Sequence, residues 1–123
     1  MAAWLLVGAG GALGAMLRYG LSLVTVRSAF PFMTFLTNVT GAVLIGFLVG
    51  MASQAKQPSQ GLLLFLKTGF CGGYTTFSTF SLETVTLLEG KQFAAGCLYA
   101  GASLAFCLLG VWAGKMLAGF VRG

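Results

Sequence analysis

The chain is built of long apolar stretches separated by short polar breaks, and the stretches are far longer than the four to eight residues of a buried strand. They cover about residues 2–24, 32–53, 61–88 and 93–117, each at or above the ~20 residues that a helix needs to cross a hydrocarbon core. Pro31 precedes the second stretch, the polar run Gln54 to Gln60 follows it, and Glu89 to Gln92 separates the third from the fourth. The pattern predicts an all-α membrane protein of four transmembrane helices running up, down, up, down, as one compact transmembrane domain over residues 1–123. The first stretch carries Arg18 and no basic region before it, which argues against a cleaved signal peptide.

The third stretch is longer than a straight crossing requires. Its middle reads Gly72-Gly73-Tyr74-Thr75-Thr76-Phe77-Ser78-Thr79-Phe80-Ser81, a composition that opposes a plain helix. A break at midspan is expected over this run. Irregular backbone at membrane depth is tolerated only where it is buried in protein or lines a water-filled cavity, and discontinuous helices use their freed groups to hold ions. Released carbonyls such as those of Gly72 and Thr75 would suit a small hard cation like sodium. The alternative is a kinked helix whose hydroxyls bond back to the preceding turn.

Composition supports a bilayer as the solvent: 58% of residues are hydrophobic and 7% charged, against roughly 25% charged in soluble domains. The net charge of +5 comes from Lys and Arg scattered singly, with no basic stripe for nucleic acid. In an up-down layout Lys56, Lys67, Lys115 and Arg122 fall toward one side and Arg18, Arg27 and Lys91 toward the other. Membrane orientation follows the Lys and Arg excess, so this near balance allows insertion both ways and an antiparallel two-fold dimer. A weakly biased single orientation stays open.

Catalysis has little to work with. The chain has no histidine, and its only acidic residues are Glu83 and Glu89. There is no nucleophile motif and no phosphate-binding loop. The cysteines Cys71, Cys97 and Cys107 lie in apolar segments without metal-ligand spacing and read as small packing residues. The protein is therefore expected not to be an enzyme, which leaves transport or conduction.

Small residues recur four apart at Gly10 and Gly14, Gly46 and Gly50, and Gly110 and Gly114, so that each pair shares a helix face, as packing seams do in lipid. Phe77 and Phe80 project on similar sides of any local helix, and an aromatic ring has a positive edge able to meet an anion. Asn38 follows Thr34 and Thr37 in the second span. Its amide is a donor for an anion or, equally, an interhelical tie. Tyr99, Ser103 and Cys107 make a stripe on the fourth span that reads as a polar track or a packing seam. Arg18, near the end of the first span, suits a structural role by snorkelling to the interface. Glu83 is a candidate partner for Arg18 or for a Lys of a neighbouring chain, at a vestibule rather than on an anion path.

The run GGYTTFSTFSLE, the upstream GGALGAMLRY, the second-span Asn and the fourth-span Tyr-x-x-x-Ser together resemble the Fluc (CrcB-type) fluoride channel family over nearly the whole chain. The resemblance implies a passive, fluoride-selective channel in the bacterial plasma (inner) membrane, exporting cytoplasmic fluoride. It also implies an antiparallel, dual-topology homodimer with two pores and a structural sodium ion, Na+, at the dimer centre. By motif position the sodium ligands are the carbonyls of Gly72 and Thr75, the pore phenylalanines Phe77 and Phe80, the pore asparagine Asn38 and the polar track Tyr99 and Ser103. Thr79 lies close to that pore, Arg18 matches the family's first-helix arginine, and Cys107 stands where a second track hydroxyl often occurs. The rival from another class is a small four-helix, proton-coupled multidrug exporter, which typically needs a membrane-embedded carboxylate. The first span here has none.

Overall fold

The computed structural model describes residues 2–122, and among these the chain is helical with no strand. Helix α1 spans Ala2–Ser22 and α2 spans Phe32–Gln54. The third apolar stretch is divided into α3, residues 60–74, and α4, Phe77–Glu89, and the chain closes with α5, Phe93–Arg122. By length and composition α1, α2 and α5 are each able to cross a membrane, whereas neither half of the third stretch is long enough alone. The expected boundaries shift at two ends: α1 stops at Ser22 rather than 24, and α5 continues past 117 to Arg122.

The interruption is shorter than composition suggested. Gly72–Tyr74 is still α-helical and Phe77–Glu89 is helical throughout, so the non-helical residues are Thr75 and Thr76 alone, both extended. Glycine and hydroxyl residues tolerate helix well enough when packing and capping favour it. A feature that composition did not announce lies just upstream. After a first turn, Gln60–Leu63, capped by the Ser59 hydroxyl, residues Leu64–Cys71 form a π-helix, a rare, wider coil that occurs frequently at functional sites.

The helix ends follow ordinary chemistry. Pro31, which has no N–H to lose, stands at the start of α2, where its carbonyl accepts from Phe35 N–H at 3.1 Å. The Thr76 hydroxyl caps α4 by accepting from Thr79 N–H at 3.1 Å. The tight turn into α5 places Lys91 at φ 60°, with Gln92 N–H closing on the Leu87 carbonyl at 2.9 Å.

The helices associate as two parallel pairs, each along a glycine seam. In α1–α3, Gly10 and Gly14 lie against the main chain at Phe65 and Phe70, and Gly73 lies against that of Gly11, halfway along α1. In α2–α5, Gly46 meets the Val111 main chain, Gly114 that of Val43 and Phe47, and Gly50 the Ala118 methyl. A methyl group on any of these glycines would collide with its neighbour. The glycine pairs are therefore the packing seams that their spacing predicted. The largest fully buried side chains are only Tyr99, Thr37 and Cys71, while Trp4, Leu104, Trp112 and Phe120 are exposed. Such an apolar exterior suits lipid, where the close approach of backbones rather than water exclusion holds helices together.

Candidate functional site

The backbone break is held open by side chains from neighbouring helices. Asn38 on α2 grips the Thr76 peptide with both ends of its amide: Oδ1 accepts from Thr76 N–H at 2.7 Å and Nδ2 donates to the Thr76 carbonyl at 3.0 Å. Reversing the amide would set donor against donor, so this network fixes its orientation. One Nδ2 hydrogen remains. On α1, Arg18 donates from Nε to the Gly73 carbonyl at 3.1 Å, so its side chain turns toward the break and not out to an interface. Tyr74 is buried, stacks on Phe70 and shares a 2.8 Å hydroxyl contact with Thr40, while Gly41 leaves room for the Thr75 methyl.

These contacts redirect two main-chain donors. In an unbroken helix Thr76 N–H would close on the Gly72 carbonyl and Thr79 N–H on that of Thr75. Here the first goes to Asn38 and the second to the Thr76 hydroxyl. Gly72 and Thr75 thus lose the usual partners of their carbonyls. Most other hydroxyls near the break do bond back to their own helices: Thr75 to the Cys71 carbonyl, Ser81 to Phe77 and Thr84 to Phe80. The kinked-helix alternative described part of the local chemistry, alongside a true interruption.

Beside the break lies a cavity of about 400 Å³ between α2, α3, α4 and α5. Its polar lining includes Asn38, Thr75, Thr76, Ser103 and Lys67, set among Phe77, Phe80, Cys107 and aliphatic side chains. Ser103 is 5% exposed, and its Oγ has no hydrogen-bond partner among the described residues. A buried hydroxyl left unpaired costs about 1–3 kcal/mol, and here the residue that carries it lines the cavity.

The structure brings Asn38, Phe77, Phe80 and Ser103 together on that cavity, with Gly72 and Thr75 on the same wall. Phe77 and Phe80 are neighbours, with ring centroids 5.6 Å apart, but Phe77 is 80% exposed in the single chain whereas Phe80 leans on Tyr99 at 5.1 Å. Two expected pathway residues stand behind the wall. Thr79 contributes its N–H to the α4 cap, and Tyr99 is fully buried, its hydroxyl donating to Glu83 Oε1 at 2.9 Å. Glu83 therefore takes Tyr99 rather than Arg18 as its partner. Of the cysteines, Cys71 is buried and Cys107 half-buried at the cavity, consistent with packing, but Cys97 is exposed.

Thr76, which caps α4 and is itself gripped by Asn38, and the Thr40–Tyr74 brace carry no strong signal in the sequence. A Thr followed three residues later by another hydroxyl is a weak capping signal, and only the fold sets Thr76 against Asn38.

Apolar helices paired through glycine, with the third apolar stretch interrupted beside a cavity, define the class: a multi-pass membrane protein. Residues 5–115 match the family described as "CrcB-like protein, Camphor Resistance (CrcB)". Over 115 residues the chain is 51% identical to the fluoride-specific ion channel FluC 2 of Bacillus subtilis, covering 89% of this chain and 86% of that one. It is 47% identical to the fluoride-specific ion channel FluC of Rhizobium meliloti, covering 92% and 93%, and 45% identical to FluC 2 of Bacillus licheniformis, covering 97% and 92%. The chain belongs to the CrcB family.

Proposed function

We propose that the protein is a passive, fluoride-selective channel of the bacterial plasma membrane, working as an antiparallel, dual-topology homodimer. The observation that carries this reading is Ser103, whose buried hydroxyl has no partner, on the lining of a cavity shared with the Asn38 amide, Phe77, Phe80 and mostly apolar side chains. Fluoride is small and strongly hydrated, so a pore must replace its water with donors, as carbonyls replace water around potassium. The Ser103 O–H and the remaining Asn38 Nδ2 hydrogen serve as such donors. The positive edges of Phe80 and Phe77 add attraction without a fixed charge that would hold the ion too tightly. The one O–H proton of Tyr99 is engaged by Glu83, so Tyr99 supports the path through its ring against Phe80. An inside-negative potential, worth about 2.3 kcal/mol per charge per 100 mV, drives the anion outward.

The residues present fit a structural sodium ion. Gly72 and Thr75 have surrendered their helical donors, and Gly72 is exposed in the single chain. A carbonyl without a partner facing lipid costs several kcal/mol, so a second copy covering this face, with a cation shared between the carbonyls of both, accounts for the geometry. The ion would add positive charge near the anion path. The packing of Gly73 on Gly11, halfway along α1, supports a midspan position for the break.

The test is fluoride efflux from liposomes holding the purified protein. The expected result is channel-like flux that excludes chloride and ignores an imposed pH gradient. Slow or proton-coupled flux would reject the channel and favour an exporter. Phe80→Ile is expected to cut flux while the dimer persists on size-exclusion chromatography.

A further inference from the structure

The cavity carries a charge that the pathway reading does not use. Lys67 sits in the π-helical stretch of α3, exposed, and lines the same cavity as Asn38, Phe80 and Ser103. Among the described residues it is the only charged side chain on that lining. Thr75 lies eight positions further along the helix, roughly 12 Å along the axis, so Lys67 stands well ahead of the break rather than beside it. Neither acidic residue of the chain opposes it there: Glu83 is engaged by Tyr99, and neither Glu83 nor Glu89 reaches the cavity wall.

We infer that Lys67 recruits anions to the mouth of the cavity and sets how well the channel captures fluoride at low concentration. The inference rests on the fluoride-channel reading and adds to it a residue outside the conducting contacts. A cavity with low-dielectric walls focuses the field of a charge at its rim and raises the local concentration of the opposite ion. An exposed ammonium, still hydrated, attracts an anion at several ångströms without stripping its water. It therefore raises the rate of entry and leaves dehydration to Ser103, Asn38 and the rings.

The experiment measures initial fluoride efflux from liposomes at low ionic strength over a range of internal fluoride, for wild type, Lys67→Gln, Lys67→Glu and Lys67→Arg. At low fluoride Lys67→Gln is expected to fall about fivefold, the effect of one charge about 4 Å away in water. Its half-saturation point should rise while its maximal rate is kept. Lys67→Glu should fall further, and Lys67→Arg should match wild type. An impermeant salt at about 0.5 M should erase the differences by shortening the screening length. Equal efflux by wild type and Lys67→Gln at low fluoride overturns the inference. So does a loss of the same proportion at every concentration, or a difference that survives high salt. Wild-type liposomes that pass no fluoride would instead overturn the channel reading itself, and this inference with it.

Discussion

Where α2 meets α5, two helices touch through what their side chains lack; where α3 meets α4, they are joined through what neighbouring side chains supply. Along the first seam Gly46, Gly110 and Gly114 admit main chain or small groups at contact distance, and no polar side chain is needed, because every amide is already paired within its own helix. At the break the chain gives up helical hydrogen bonds, and Asn38, Arg18 and the Thr76 hydroxyl take over the freed groups. The seam is a rigid wall. The break is a place where main-chain oxygens become available and a cavity opens. In lipid both solutions obey one constraint, that no backbone polar group remain unpaired without another purpose. The seam is thus expected to be sensitive to volume and the break to hydrogen-bonding capacity.

That contrast is open to test. The largest effect is expected at the seam: Gly114→Val would drive its side chain into the Val43 and Phe47 main chain, and backbone cannot step aside as a flexible side chain can. The folded species should disappear from size-exclusion chromatography, whereas Gly101→Val, at a glycine with nothing within 4 Å, should elute as wild type. A monodisperse Gly114→Val would break the account of the seam.

An intermediate effect is expected at the clamp. Asn38→Leu keeps approximate volume but strands the Thr76 N–H and carbonyl, at a cost of ~3 kcal/mol. Its thermal midpoint should fall and fluoride flux should vanish. Asn38→Asp keeps the acceptor for Thr76 N–H and loses the donor, so its midpoint should lie between the two. If Asn38→Leu melted like wild type, the break would not depend on this amide.

The smallest and most diagnostic change is Ser103→Ala. Because its hydroxyl has no partner, alanine should leave the thermal midpoint unchanged or slightly higher, while fluoride flux falls about fivefold for the loss of one donor. A stable variant with undiminished flux would remove Ser103 from the path.

The four apolar stretches, the pairing glycines and the location of the break to within a few residues were legible because each follows from local rules: span length, a four-residue repeat and an accumulation of poor helix formers. The extent of the break was not. Tyr74 and Phe77 flank only two non-helical residues, and the glycines between Cys71 and Tyr74 stay in helix because Gly73 is packed on α1. The π-helical turn at Leu64–Cys71 was equally hidden, since its sequence is ordinary. Partner choice was hidden for the same reason. Arg18 and Glu83, the natural pair by charge, bond instead to the Gly73 carbonyl and to Tyr99.

By itself the sequence determined that this chain lives in lipid, crosses it with helices joined through glycine, and interrupts its third apolar stretch. These properties depend on residue type and spacing along one chain. The tertiary structure alone decided that Asn38 clamps Thr76, that two carbonyls lose their donors, and that Ser103 lines a cavity while Tyr99 is withdrawn to Glu83. Apart from the local Thr76 cap on Thr79 N–H, these are contacts between groups 16 or more residues apart, set by how the two helix pairs close on each other rather than by any local preference.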